Sequence, residues 1–280
     1  TTEIYTLSLH DALPIWYNNL DYTNFNEMLH FDSMADGDYF YNVHQTRRTE
    51  GTDHQSDIVF FWLKLDGTYT YSYLDLGPSQ HSRTSLRPKM AKEGNQIFVA
   101  WTEFQQGDRP DVFFNYSGDN GLNWRNPAGV LYVDSSDYYA SGDVDVAAGG
   151  DGVFYTVWNR YDVSMDRFDV LFKSVSIQGS GGEARVLNTG PEEALNPQIS
   201  CHGNMVFVVW QDARYGRYDI LGRYSLDKGR SWSQEIRFNT NAAGSSFAIK
   251  PQITVYDRWA YVLWEDSRVG KNVFFEARKQ

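Results

Sequence analysis

Acid and base recur together in this chain, each time just behind a tryptophan. Trp210-Gln-Asp212-Ala-Arg214 and Trp264-Glu265-Asp266-Ser-Arg268 share one Trp-x-Asp-x-Arg spacing. Trp158-Asn-Arg160-Tyr-Asp162 and Trp101-Thr-Glu103, with Asp108-Arg109 beyond it, are looser copies. A guanidinium fork bonds a carboxylate bidentately and never loses its charge, so Arg214 and Arg268, joined by Arg87, can grip an acidic ligand. The same fork can instead tie down the aspartate two residues before it. Repetition favours the second reading, because a reactive group is needed once whereas a part present in unit after unit serves something each unit needs.

The elements that carry these groups are short apolar runs. An aspartate or asparagine opens one set: Asp57-Ile-Val-Phe-Phe, Asp111-Val-Phe-Phe, Asp169-Val-Leu-Phe, Asp219-Ile-Leu-Gly and Asn272-Val-Phe-Phe, at intervals of 54, 58, 50 and 53 residues. Ahead of the last four lie runs that end in tryptophan: Ile97 to Trp101, Phe154 to Trp158, Val206 to Trp210 and Ala260 to Trp264. They are too brief for helices and rich in β-formers, which predicts buried strands. Further upstream, Arg87-Pro88, Asn196-Pro197 and Lys250-Pro251 are expected to open the innermost strands, because proline lacks the N–H that a ladder needs. Unit 1 is less regular, with Tyr39 to His44 as its second strand and Leu65-Asp66-Gly67-Thr68 in place of its turn. Five units are visible, about 20–77, 81–133, 138–189, 192–240 and 243–280.

Two units share an eight-residue turn, Ser-x-Asp-x-Gly-x-x-Trp. The copies are Ser117-Gly-Asp119-Asn-Gly121-Leu-Asn-Trp124 and Ser225-Leu-Asp227-Lys-Gly229-Arg-Ser-Trp232, separated by 108 residues. Ser and Asp accept backbone N–H groups, Gly takes positive φ, and Trp re-enters the next strand as an apolar anchor. This pattern resembles the Asp box of sialidase-like β-propellers, and a periodic pair spaced at about two units strengthens the resemblance. It implies an all-β fold: a β-propeller of four-stranded antiparallel blades, here a truncated six-bladed one, with residues 16–280 as one domain. It also implies that the boxes lie between third and fourth strands, away from the ligand face, so Asp119 and Asp227 are structural. On the opposite face the family grips the carboxylate of sialic acid with an arginine cluster, for which Arg87, Arg214 and Arg268 are the candidates. A Tyr–Glu nucleophile pair and an Asp acid/base would complete a hydrolase. Tyr occurs nineteen times, so none stands out. Glu192, Glu193, Asp143, Asp145, Asp212 and Asp266 are the carboxylates on the expected face, and each has a plain reading as a solvated or structural group. The family's Arg-Ile-Pro motif has no copy, and Arg87-Pro88 only approximates it.

Residues 1–15, TTEIYTLSLHDALPI, correspond codon by codon to a short-read DNA-sequencing adapter. They are expected to be an artefact, with His10 and Asp11 excluded from any site and the native start lying upstream. A net charge of −11 argues against nucleic acid and anionic membranes as partners. No stretch has the length of an apolar membrane span. The single cysteine, Cys201, cannot form an internal disulfide and is read as a small core residue; no Cys/His spacing fits a metal, and no cofactor is expected. Gly142-Asp-Val-Asp-Val is an Asp-rich loop that can hold calcium but is more simply solvated. Low lysine with abundant Asn, Gly and aromatics suits an extracellular or envelope protein of a bacterium. The expected function is a non-catalytic propeller that binds a glycan or cell-surface ligand. Two alternatives are an exo-acting sialidase-type hydrolase and a structural repeat of a larger surface protein, since fold alone does not fix activity.

Overall fold

A computed structural model describes residues 25–48, 56–75, 84–104, 110–124, 131–134, 140–177, 181–270 and 272–279. Residues 1–15 and Asp108-Arg109 lie outside the described residues. The described chain forms five antiparallel sheets, each built in chain order from the axis outward. The first holds β1 (Phe25–Asp36), β2 (Tyr39–Arg48), β3 (Ser56–Lys64) and β4 (Tyr69–Tyr73). The second holds β5 (Thr84–Glu93), β6 (Gln96–Phe104), β7 (Pro110–Ser117) and β8 (Leu131–Asp134). The third holds β9 (Ala140–Gly150), β10 (Val153–Asp162), β11 (Arg167–Ser176) and β12 (Arg185–Val186). The fourth holds β13 (Ala194–His202), β14 (Met205–Asp212), β15 (Asp219–Ser225) and β16 (Ile236–Arg237). The fifth holds β17 (Ala248–Tyr256), β18 (Trp259–Asp266) and β19 (Asn272–Lys279). Innermost strands pack in succession, β1 on β5, β5 on β9, β9 on β13 and β13 on β17, which is the arrangement of a β-propeller.

The core lies between blades rather than within them. Phe98, Phe114, Phe154 and Trp158 fill the space between the second and third sheets, and Tyr155, Phe172, Ile199 and Trp210 that between the third and fourth. Trp101, Trp158 and Trp210, the tryptophans that end the second strands, are wholly buried. Burying each such side chain stabilises the fold by about 1.5–3 kcal/mol. The fifth sheet departs from this pattern, turning Leu263, Val273 and Phe275 to solvent.

Two of the aspartates at the start of the third-strand runs, Asp169 and Asp219, are structural. Asp169 accepts the Asn188 amide and pairs with Arg167, and Asp219 does the same with Asn239 and Arg237. The asparagine oxygens in turn accept the N–H of Val170 and of Ile220, so one side chain clamps both the aspartate and the residue after it.

The innermost strands correct the sequence reading at two points. Pro88, Pro197 and Pro251 do not open their strands; each sits inside one, at a β-bulge between Leu86 and Lys89, Leu195 and Gln198, and Ile249 and Gln252. An extra residue there frees the position from ladder bonding, so proline is tolerated. Asp143 and Asp145 belong to strand β9 rather than to a loop, and the same bulge falls between Gly142 and Asp145.

Candidate functional site

All five innermost strands carry that bulge, and in each a non-glycine residue takes the left-handed conformation. They are His30 (φ 42°), Arg87 (53°), Asp143 (47°), Asn196 (50°) and Lys250 (54°). In the last four blades the extra residue sits across the ladder from Trp101, Trp158, Trp210 or Trp264, and in the first it falls beside His44. His44 takes the tryptophan's place, and burial pushes its imidazole down to about 4, so it stays neutral. Left-handed backbone costs a side-chain-bearing residue on the order of 1–2 kcal/mol and is retained where the surroundings over-determine it. Part of the offset is visible across blades. The bulge N–H of Arg87 donates to Gln45 Oε1 at 3.2 Å, and that of Lys250 to Gln211 Oε1 at 3.2 Å.

The bulges repeat the backbone but not the side chain. His, Arg, Asp, Asn and Lys stand at equivalent places around the axis, with Arg87 56% and Lys250 61% exposed at the side chain. Arg87 Nη1 donates to Asp143 Oδ1, joining the second and third blades, and Lys250 Nζ lies 3.1 Å from Glu265 Oε1. Two residues further along each strand a second tier follows: Asp32, Lys89, Asp145, Gln198 and Gln252. Asp32 Oδ2 accepts Met90 N–H at 2.9 Å and Asp145 Oδ2 accepts Ile199 N–H at 2.9 Å, so side chains of one blade cap the free strand edge of the next. Ser200 Oγ, further down, accepts Val255 N–H at 2.9 Å in the same sense. Burial pushes Asp145 up to about 6, against the pull of Lys89 Nζ 4.0 Å away.

The other arginine candidates are placed elsewhere and are already occupied. Arg214 donates from Nε and Nη2 to Asp212 and from Nη1 and Nη2 to Glu235, at 2.5 to 3.1 Å. Asp212 also accepts Trp210 Nε1–H at 3.0 Å, and Glu235 accepts Thr189 N–H and Oγ1–H, which ties the third blade to the fourth. Arg268 forks onto Asp266 and lies over the Phe274 ring, 4.1 Å from its centroid. Burial pushes the Asp266 carboxyl up, but hydrogen bonds from Arg268, Ser246 and Trp264 outweigh it and hold it at about 2. Arg87 therefore stands apart from Arg214 and Arg268 in its surroundings: it belongs to the axial ring.

Glu192 is exposed and Glu193 is half-buried. The Tyr218 hydroxyl donates to Glu193, a Tyr–Glu pair that the abundance of tyrosine conceals in the sequence. Burial, with the Glu193 charge added, pushes that phenol up to about 12.

Both Ser-x-Asp-x-Gly-x-x-Trp turns lie between third and fourth strands and share one bonding scheme. Ser117 Oγ accepts the Gly121 N–H and donates to Asp119, which accepts Asn123 N–H; Ser225, Gly229, Asp227 and Ser231 repeat it. Trp124 packs edge-on against Phe60 at 4.8 Å and Trp232 against Phe172 at 4.9 Å, in each case a ring of the preceding blade. The sequence places these tryptophans in their own blade, whereas their contacts staple two blades together. The Asp66 turn of the first blade keeps one such bond, from Thr68 N–H to Asp66 Oδ1 at 2.9 Å. Among the described residues no group of His, Cys, Asp and Glu is arranged to hold a metal ion, and no helix is long and apolar enough to cross a membrane.

No family model matches the chain, and no curated protein matches it in sequence. Its fold is nevertheless that of known solved structures. The polysaccharide lyase Uly1 superposes with a TM-score of 0.63 at 14% identity, over 92% of this chain and 60% of that one. The sialidase of Trypanosoma rangeli, solved with the inhibitor DANA, superposes with a TM-score of 0.53 at 9% identity, over 90% of this chain and 55% of that one. The chain is thus a β-propeller of the sialidase-like fold that spans little more than half the length of either protein.

Proposed function

We propose that this propeller is a non-catalytic carbohydrate-binding module, extracellular or envelope-borne, whose ligand sits where the five bulges ring the axis. The observation that carries this reading is the ring itself: one strained backbone device in every blade, bearing five different polar side chains. A purely structural device has no use for that variety, whereas a ligand with several differently placed hydroxyls does. Mixed donors and acceptors of both signs suit a sugar chain better than a simple ion. Arg214 and Arg268 play no part in this reading, because Asp212, Glu235 and Asp266 already hold them. The two box turns act as Asp boxes, staples of the far side.

Glycan-array binding followed by calorimetry on the best hit tests the proposal. Arg87→Ala and His30→Ala should each weaken binding about tenfold or more with an unchanged melting temperature. Binding untouched by both substitutions, or no binding to any glycan, sinks it. A hydrolase remains the second reading, favoured by the Tyr218–Glu193 pair. A nucleophile needs its proton removed, and a phenol pushed up to about 12 resists that, so turnover of fluorogenic sialosides is expected to be absent. Turnover that Tyr218→Phe abolishes would reverse the order of the two readings.

A further inference from the structure

The axial edges of the innermost strands follow one rule with one exception. Antiparallel pairing turns alternate N–H groups away from the neighbouring strand, so an innermost strand sends every second one toward the axis. Three residues past each left-handed bulge residue stands such a group: Ser33, Met90, Val146, Ile199 and Ile253, in blade order. Asp32 takes the first two, Ser33 N–H at Oδ1 (3.0 Å) and Met90 N–H at Oδ2 (2.9 Å). Asp145 takes the next two in the same way, Val146 N–H in its own strand and Ile199 N–H, at 2.9 Å, in the following blade. One carboxylate thus serves two blades, as the need to pair backbone donors requires.

Ile253 is the exception. Its N–H points to the axis, because Val255, two residues on in the same strand, sends its own N–H across to Ser200 Oγ at 2.9 Å. The places of the aspartates are held here by Gln252 in the same strand and Gln198 in the preceding blade, and neither takes the N–H. Gln198 Nε2–H donates to Pro197 O and Gln252 Nε2–H to Pro251 O, both at 2.9 Å. A carbonyl only accepts, so these bonds fix which way each amide faces. Each Oε1 is left without a protein partner among the described residues, and so is the Ile253 N–H.

The spot is open where its counterparts are closed. Met90, Val146 and Ile199 are at most 8% exposed, whereas Ile253 is half-buried and Gln252 exposed. The chain offers one donor and two acceptors there, none of them charged. A hydroxyl satisfies both kinds at once, accepting from the N–H and donating to an amide oxygen, whereas a carboxylate can only accept. The Asp145 carboxylate on the Ile199 N–H, next to Gln198, disfavours a second negative charge, and Lys250 is already paired with Glu265.

We infer that the axial site takes a neutral sugar, one hydroxyl of which accepts the Ile253 N–H and donates to the Oε1 of Gln198 or Gln252. This rests on the reading of the bulge ring as a glycan site, and adds the ligand's class and its point of attachment on the fifth blade. The test is a printed array of neutral and acidic glycans, probed with wild type, Arg87→Ala, Gln252→Asp and the double variant Gln198→Ala with Gln252→Ala. Gln252→Asp supplies the carboxylate that Asp32 and Asp145 supply to their own strands, which closes the N–H to a ligand. Neutral-glycan signals should then fall at least tenfold while the melting temperature holds or rises. The double variant removes both acceptors without adding charge and should lose signal to a similar degree. Neutral-glycan binding that weakens in Arg87→Ala but survives both glutamine variants overturns this inference and leaves the ring as a glycan site. Signals confined to acidic glycans overturn it in the same way. A lower melting temperature in Gln252→Asp would show that the N–H is not free to be capped, and would also overturn it. No glycan signal at all in wild type overturns both readings.

Discussion

At the scale of single residues, the repeat turns each departure from its own pattern into a chemical statement. Asp75 occupies the place of Asn188 and Asn239. It accepts the Ile58 N–H as they accept their strand amides, but it presents a second carboxyl oxygen to Asp57 where they present an amide. Burial first, then the charges of Asp57 and Glu103, push it up to about 8, against a hydrogen bond from Ser85. A folded value above the unfolded one near 4 means that the protonated acid is the form the fold accepts. Stability is therefore full below about pH 4 as far as this group is concerned, and falls as pH rises toward 8. Asp75→Asn should flatten that fall, which thermal melting between pH 5 and 8 reads as a gain of several degrees at the alkaline end and little at the acid end. Arg214 makes the opposite case. Asp212 has no side-chain exposure, so Arg214→Ala strands a buried carboxylate and should cost about 3–5 kcal/mol in chemical denaturation. A loss below about 1 kcal/mol would show that the fork is dispensable to the fold. The Asp–Arg adjacency was legible in the sequence as an ion pair because two residues fix its geometry. The Tyr218–Glu193 bond was not, since it joins residues from different strand starts, and neither was Asp75, whose meaning depends on a partner from another strand.

At the scale of elements, the box and the bulge are opposite in legibility. Gly121 and Gly229 announce a turn because positive φ needs them, and the tryptophan three residues on announces an anchor. What the spacing cannot say is that the glycine also makes room for a ring of the preceding blade: a Cβ on Gly121 would meet Phe60 Cε1 at 2.2 Å, whereas one on Gly67 meets nothing within 4 Å. Gly121→Ala should therefore lose about 1–3 kcal/mol more than Gly67→Ala, both measured by urea denaturation, since both have positive φ and only the first adds overpacking. Equal losses would remove the close approach from the account. The bulges gave no signal beyond three prolines, because the left-handed preference that His, Asp and Asn have is weak and Arg and Lys do not share it. Their register is set by the strand opposite, a long-range fact.

At the scale of the whole molecule, the repeat interval and the apolar runs disclosed the blades, while burial distinguishes them. Strand β14 is buried at every position, and β19 at none, with its outer edge unpaired among the described residues. Hydrogen exchange followed by mass spectrometry should find the amides of β14 protected longest and those of β19 shortest, because local opening follows buried contact. Comparable protection of the two would contradict the burial pattern.

The caps across blades run in one direction. Asp32, Asp145 and Ser200 each serve the edge of the following blade, and Gln45 and Gln211 serve its bulge. A blade is therefore written partly in its predecessor, like a word whose last letter begins the next. In a collection of such sequences this would leave a one-way correlation between adjacent units and none between units further apart. Blades could then be exchanged only in consecutive pairs that keep donor and acceptor together.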